Sequence, residues 1–97
     1  MADLNKVFNA LADNNRRQIL LLLRNGSMNA GDIASHFNIS KPSITFHLKT
    51  LRDAELVSSR KEGQNVIYSL NASVFESVML HFMKSMNSTA RSKGKKK

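Results

Sequence analysis

Ninety-seven residues with 15 Lys and Arg against 7 Asp and Glu, a formal net charge of +8, favour one domain with a modest core and a polyanionic partner. The absence of cysteine excludes disulfides, thiolate metal sites and thiol redox sensing. The longest strictly aliphatic run, Ile19 to Leu23, is far short of the ~20 residues that cross a bilayer, and the opening Met-Ala-Asp-Leu-Asn-Lys lacks the layout of a secretion signal; no stable membrane insertion is expected, and the cytoplasm is the default compartment.

Asp3 to Ala12 reads as a first helix, with Leu4, Val7, Phe8 and Leu11 at i, i+3, i+4 and i+7. Asp13 or Asn14 caps a second helix carrying Ile19, Leu20, Leu22 and Leu23, and Asn25-Gly26 stops it. Asn29 then caps a short third helix with Ile33, Ala34 and Phe37. Phe37 to Ser40 forms a turn, and Ser40 caps a fourth helix. Pro42 falls in the first turn of that helix, where its missing N–H costs nothing. Ile44, Leu48 and Leu51 give it one buried stripe, which leaves Lys41, Ser43, Thr45, Phe46 and Lys49 pointing elsewhere. Two helices joined in this way form a helix-turn-helix, a motif that reads DNA.

After Ala54-Glu55 the period changes. Val57 to Lys61, a turn at Glu62-Gly63-Gln64 and Asn65 to Leu70 predict a β-hairpin whose Val66, Tyr68 and Leu70 face the core and whose tip carries Arg60, Lys61 and Gln64. A hairpin behind a reading helix is a wing. The last helix, about Ala72 to Met86 with Asn71 as its cap, is too broadly apolar for an ordinary surface helix. In so small a domain this surplus points to a homodimer in which first and last helices pack together, through Leu4, Val7, Phe8 and Leu11 and through Val78, Met79, Phe82 and Met83. The expected architecture is mainly α with a β-hairpin wing: four helices, two strands and a fifth helix in a winged helix-turn-helix over residues 1–88. Residues 89–97 read as a basic disordered tail. Arg91, Lys93, Lys95, Lys96 and Lys97 carry five of the eight net charges, leaving +3 for the rest, so the tail is either simply solvated or a source of non-specific DNA affinity.

From Val7 to Asn71 the chain resembles the ArsR family of bacterial winged-helix repressors. Leu11-Ala-Asp-Asn-Asn-Arg-Arg-Gln-Ile-Leu20 is similar to that family's Leu-x-Asp-Pro-x-Arg-x-x-Ile-Leu signature, with Asn14 where proline is usual. The match continues through Gly31-Asp-Ile-Ala, His36-Phe-Asn-Ile-Ser-Lys-Pro-Ser-Ile-Thr45, His47-Leu48, Leu56-Val57, Gly63-Gln64 and Tyr68-Ser-Leu70. The resemblance implies a homodimeric repressor of a palindromic operator, here an autorepressor that senses no metal. The family's metal sensors use a cysteine pair at the reading helix, or an Asp-x-His with a distant His and Glu on the last helix. This chain has no cysteine, and Glu76 and His81 are five residues apart and face different ways. His36, His47 and His81 read as packed or solvated histidines, and no metal or other cofactor is expected.

These readings place Lys41, Ser43, Thr45 and Phe46 in the major groove, with Pro42 in the same turn, Ser40 and Lys49 near phosphates, and Arg60, Lys61 and Gln64 at an adjoining minor groove or backbone. Phe46 suits either the core or a thymine methyl. His47 orients its helix or touches a phosphate, and Arg16 is structural or DNA-facing. The partners are double-stranded DNA bearing an inverted-repeat operator and a second copy of the chain; the release signal, a ligand or a regulatory protein, is not written in any motif. The alternative is a winged-helix interaction module that holds another protein or an anionic membrane surface through the last helix and tail. An enzyme is disfavoured, since no motif places a nucleophile, an acid–base set or a phosphate-binding loop.

Overall fold

The computed structural model describes residues 3–95, with side chains described through residue 87. Helix α1 (Leu4–Leu11) starts at Asp3, whose carboxylate accepts from the N–H groups of Asn5 and Lys6 at 2.9 and 3.3 Å. Helix α2 (Asn14–Arg24) starts at Asp13, which accepts from Arg16 N–H at 3.1 Å. Strand β1 (Met28–Asn29) leads into the short helix α3 (Ala30–Ala34), capped by Asn29 Oδ1 on Asp32 N–H at 2.8 Å. Helix α4 (Lys41–Asp53) is capped by Ser40, with Oγ accepting from Ser43 N–H at 3.2 Å and Pro42 in the first turn. Asn29 and Ser40 are the caps the sequence predicts and Asp13 is one of the two it offers, whereas Asp3, read as the first helical residue, is the cap of α1; each satisfies a donor that the first turn leaves without a partner.

Strands β2 (Val57–Glu62) and β3 (Asn65–Leu70) form the wing, and α5 (Ala72–Lys95) closes the chain. Glu62 pairs with Asn65, so the connection is the two residues Gly63-Gln64. Gly63 has φ +61° at the first of these positions, where a hairpin turn of the II′ kind requires glycine. The unpredicted strand β1 pairs antiparallel with β3, Met28 opposite Tyr68 and Asn29 opposite Ile67, and makes a three-stranded sheet in the order β1-β3-β2.

The core gathers Val7 from α1, Ile19 from α2, Ile33 from α3, Ile44, Leu48 and Leu51 from α4, and Leu56 and Val57 at the wing's root, each 0–1 % exposed. Burial of each large aliphatic side chain contributes about 1.5–3 kcal/mol, so three on α4 alone outweigh any propensity difference along that helix. Tyr68, Leu70 and Phe37 pack against this core; Phe37 lies beyond the end of α3. Val66 does not join it. It is 37 % exposed because it pairs with Lys61 next to the turn, outboard of the helices that cover the root of the sheet.

Helix α4 ends in a Schellman arrangement. Leu56 N–H donates to Leu51 O at 3.0 Å and Glu55 N–H to Arg52 O at 2.9 Å, which requires φ +65° at Glu55. The expected cap Asn71 turns its amide to Glu55, donating from Nδ2 to the carbonyl at 2.9 Å, while its own carbonyl accepts from Phe75 N–H at 3.1 Å. The start of α5 is thereby pinned to the end of α4. Helix α5 runs past the Met86 limit suggested by its apolar residues, and the tail expected over 89–97 lies outside the described side chains.

Candidate nucleic-acid interface

On α4 the exposed residues before the last turn are Lys41, Pro42, Thr45, Phe46 and Lys49, and Arg52 and Asp53 are exposed in that turn. At 100° per residue they span an arc of about 140°, opposite the stripe of Ile44, Leu48 and Leu51. Phe46 is 61 % exposed, which removes the core reading for this residue and leaves an aromatic ring in a row of polar and cationic side chains. Ser43 and His47 are half-buried and flank the stripe rather than lying on it. The Ser43 hydroxyl is 2.9 Å from Ser40 Oγ, so the two hydroxyls share one hydrogen bond at the helix start.

Lys49 Nζ is 3.0 Å from Asp53 Oδ2, one turn on, and this hydrogen bond holds the Asp53 carboxyl below its usual range against the opposing effect of desolvation. Both groups are well exposed, and a pair of this kind contributes little to stability, so it does not hinder transfer of the ammonium to a phosphate. In the wing, Arg60, Lys61 and Gln64 are exposed. Arg60 Nε is 2.9 Å from Glu62 Oε2 and Nη1 is 3.4 Å from Ser69 Oγ, which lays the guanidinium along the sheet. Lys61 is thus the less constrained of the two cations. Arg52 Nη1 donates to Ser59 Oγ at 3.3 Å, joining the last turn of α4 to the wing. This contact is invisible to helical or strand periodicity because its partners belong to elements of different period.

Arg16 and His47, whose roles the sequence leaves open, meet each other. Arg16 is 9 % exposed; Nε donates to Ala10 O at 2.8 Å, Nη2 to Asn9 O at 3.0 Å, and Nη1 lies 3.2 Å from His47 Nδ1. Arg17 Nη1 donates to Leu11 O at 2.6 Å, so two guanidinium groups satisfy the carbonyls left over at the end of α1. Asp13, at the start of α2, feels opposing influences: desolvation pushes its carboxyl up, while the N–H bonds from Arg16 and Asn15 and the nearby Arg16 guanidinium prevail and hold it down. Arg16 therefore acts inside the fold.

The apolar surplus splits in two. Val7 and Val78, expected at a dimer interface, are 0 % and 4 % exposed and belong to the chain's own core, because the stripes of α1 and α5 face inward there. Leu4, Leu11 and Met79 are half-buried against that core. Phe8 and Phe82 remain exposed at 38 % and 41 %, their rings edge to face with centroids 5.3 Å apart. Met83, Leu80 and Met86 on the same helix are exposed as well and belong to the apolar surplus of its sequence. A cleft of ≈ 620 Å³ adjoins these helices, lined by Leu11, Leu20, Leu21, Leu70 and Phe75 together with Arg17, Arg24 and Glu76. Among the described residues no three His, Cys, Asp or Glu side chains gather, and no helix is long and apolar enough to cross a membrane.

Residues 13–59 match the family model described as bacterial regulatory protein, arsR family. Over 73 residues the chain is 55 % identical to the transcriptional repressor SdpR of Bacillus subtilis, covering 75 % of this chain and 81 % of that protein. Among solved structures, an ArsR-like transcriptional regulator from Rhodococcus superposes with a TM-score of 0.83 at 27 % identity, covering 91 % of this chain and 83 % of that one. The homodimeric winged helix-turn-helix DNA-binding domain Mb0332 of Mycobacterium bovis superposes with a TM-score of 0.70 at 28 % identity, covering 84 % and 76 %.

Proposed function

The chain belongs to the bacterial ArsR family of regulatory proteins, and on that premise we propose that it is a transcriptional repressor acting in the cytoplasm as a homodimer on an inverted-repeat operator, its own operon among the targets. The observation that carries the reading is the exposed stripe of α4: Lys41, Pro42, Thr45, Phe46 and Lys49 face solvent on a helix anchored by three fully buried side chains. A major groove admits one α-helix, and this stripe offers it a hydroxyl, cations and a ring able to meet a thymine methyl. Ser40 at the cap and Lys49 reach phosphates, as does the wing through Lys61, Gln64 and Arg60; Ser43 and His47 support the edge of the reader.

The second copy packs on the exposed apolar face of α1 and α5, with Phe8, Phe82 and Met83 at its centre. Two readers then face DNA about a two-fold axis, and the operator repeats with half-site centres about one helical turn, or a multiple, apart. Selecting duplexes from a random pool with the purified protein tests this. A recovered inverted repeat is expected, and Phe46→Ala or Thr45→Ala should weaken it by about 1–3 kcal/mol with little change on random DNA. Recovery of a single asymmetric site, or equal weakening on all DNA, overturns the assignment.

A further inference from the structure

Arg16 is the buried charged side chain among the described residues, and all three of its guanidinium nitrogens have partners. Two are carbonyls of α1, Asn9 and Ala10; the third is His47 Nδ1, on α4 and 31 positions away in sequence. A guanidinium has donors only, so His47 Nδ1 is the acceptor and the neutral ring carries its proton on Nε2. The planar fork fixes the directions of these bonds, and the end of α1 is joined to the middle of α4 through the Arg16 guanidinium and the His47 ring. We propose that Arg16 is a positioning residue for operator recognition, setting the reading helix against α1 and holding His47 as its Nε2–H tautomer.

The proposal rests on the reading above, in which α4 enters the groove and α1 joins the second copy. The exposed Phe46 ring neighbours that of His47, with centroids 6.0 Å apart, and the exposed Phe8 immediately precedes Asn9, whose carbonyl Arg16 holds, so Arg16 links the helix of the apolar face to that of the reading stripe. In a two-fold dimer a tilt of α4 against α1 is repeated by the partner, and both tilts alter the separation of the two readers. Spacing between half-sites should report on the contact, whereas a purely structural role would lower affinity for every spacing alike. Lysine at this position brings one nitrogen to three acceptors and cannot replace the fork.

The test compares binding of the wild-type protein and of Arg16→Lys, His47→Leu and His47→Asn to the selected operator and to versions with one base pair inserted or removed between half-sites. The ratio of affinities divides out general losses of stability or DNA binding. Arg16→Lys and His47→Leu should reduce this spacing preference about tenfold, the effect of one charge-assisted hydrogen bond. His47→Asn, whose Oδ1 can stand in for Nδ1, should restore most of it. Nitrogen-15 spectra of His47 should show the Nε2–H form in the wild type and a mixture of tautomers in Arg16→Lys. A wild-type spacing preference in Arg16→Lys and His47→Leu, or a wild-type His47 proton on Nδ1, overturns the proposal. Should Arg16→Lys fail to fold, the two His47 variants and the wild-type spectrum still decide. Thr45→Ala and Phe46→Ala serve as the control: equal weakening on all DNA there refutes the reading role of α4, and a wild type that selects no spaced repeat removes both.

Discussion

Glu55 occupies the left-handed position that ends α4, where helices most often place glycine, with φ +65°. A side chain there costs roughly 1–2 kcal/mol against about 0.5–1 kcal/mol for the extra freedom glycine brings to the unfolded chain. Glu55→Gly should therefore raise stability to urea by about 0.5–1 kcal/mol, and an unchanged or lower midpoint would show that the glutamate side chain has favourable contacts. Asp13 yields a pH prediction. Its carboxyl is held below the unfolded value because the N–H bonds from Arg16 and Asn15 and the nearby Arg16 guanidinium outweigh desolvation. The stability it contributes is full above the unfolded value and is lost as pH falls through the depressed one. Asp13→Asn retains a capping oxygen but not the titration, so its stability should fall less steeply than that of the wild type below about pH 4, with the curves parallel near neutrality.

At the scale of elements, the surface of α5 separates two kinds of burial that its periodicity merges. Val78 faces the chain's own core while Phe82 and Met83 stand exposed, so Phe82→Glu with Met83→Glu should leave the fold intact and yield monomers by sedimentation, with operator binding reduced by more than tenfold. Val78→Glu should instead unfold the chain. The sequence makes α4 legible to the residue, because Ser40, Pro42 and the Ile44, Leu48, Leu51 stripe are local chemistry. It shows which stripe of α1 is apolar but not which partner covers it, and so Val7 reads as an interface residue. Strand β1 has two residues and therefore no period; it exists through its pairing with β3. The Arg16–His47 contact was equally illegible, since nothing local marks residues 31 apart as neighbours. Val66 was misplaced because alternation along a strand does not say where the covering helices stop.

For the whole molecule, charge and apolar surface have different tasks. Residues Arg91 to Lys97 hold five of the eight net charges, so their removal should weaken binding to operator and random DNA together and flatten the salt dependence by about one unit of slope per lost phosphate contact. A truncated protein with an unchanged salt slope would place the counterion-releasing contacts wholly on the folded domain. The exposed pair Phe8 and Phe82 has a consequence beyond geometry. When chains are scarce and mostly single, the species with two readers grows as the square of their number. Under the proposed autorepression and pairing, promoter occupancy then rises more steeply than expression itself, and the repressor acquires from two phenylalanines a threshold: nearly silent at low copy number, self-limiting once the copies begin to meet.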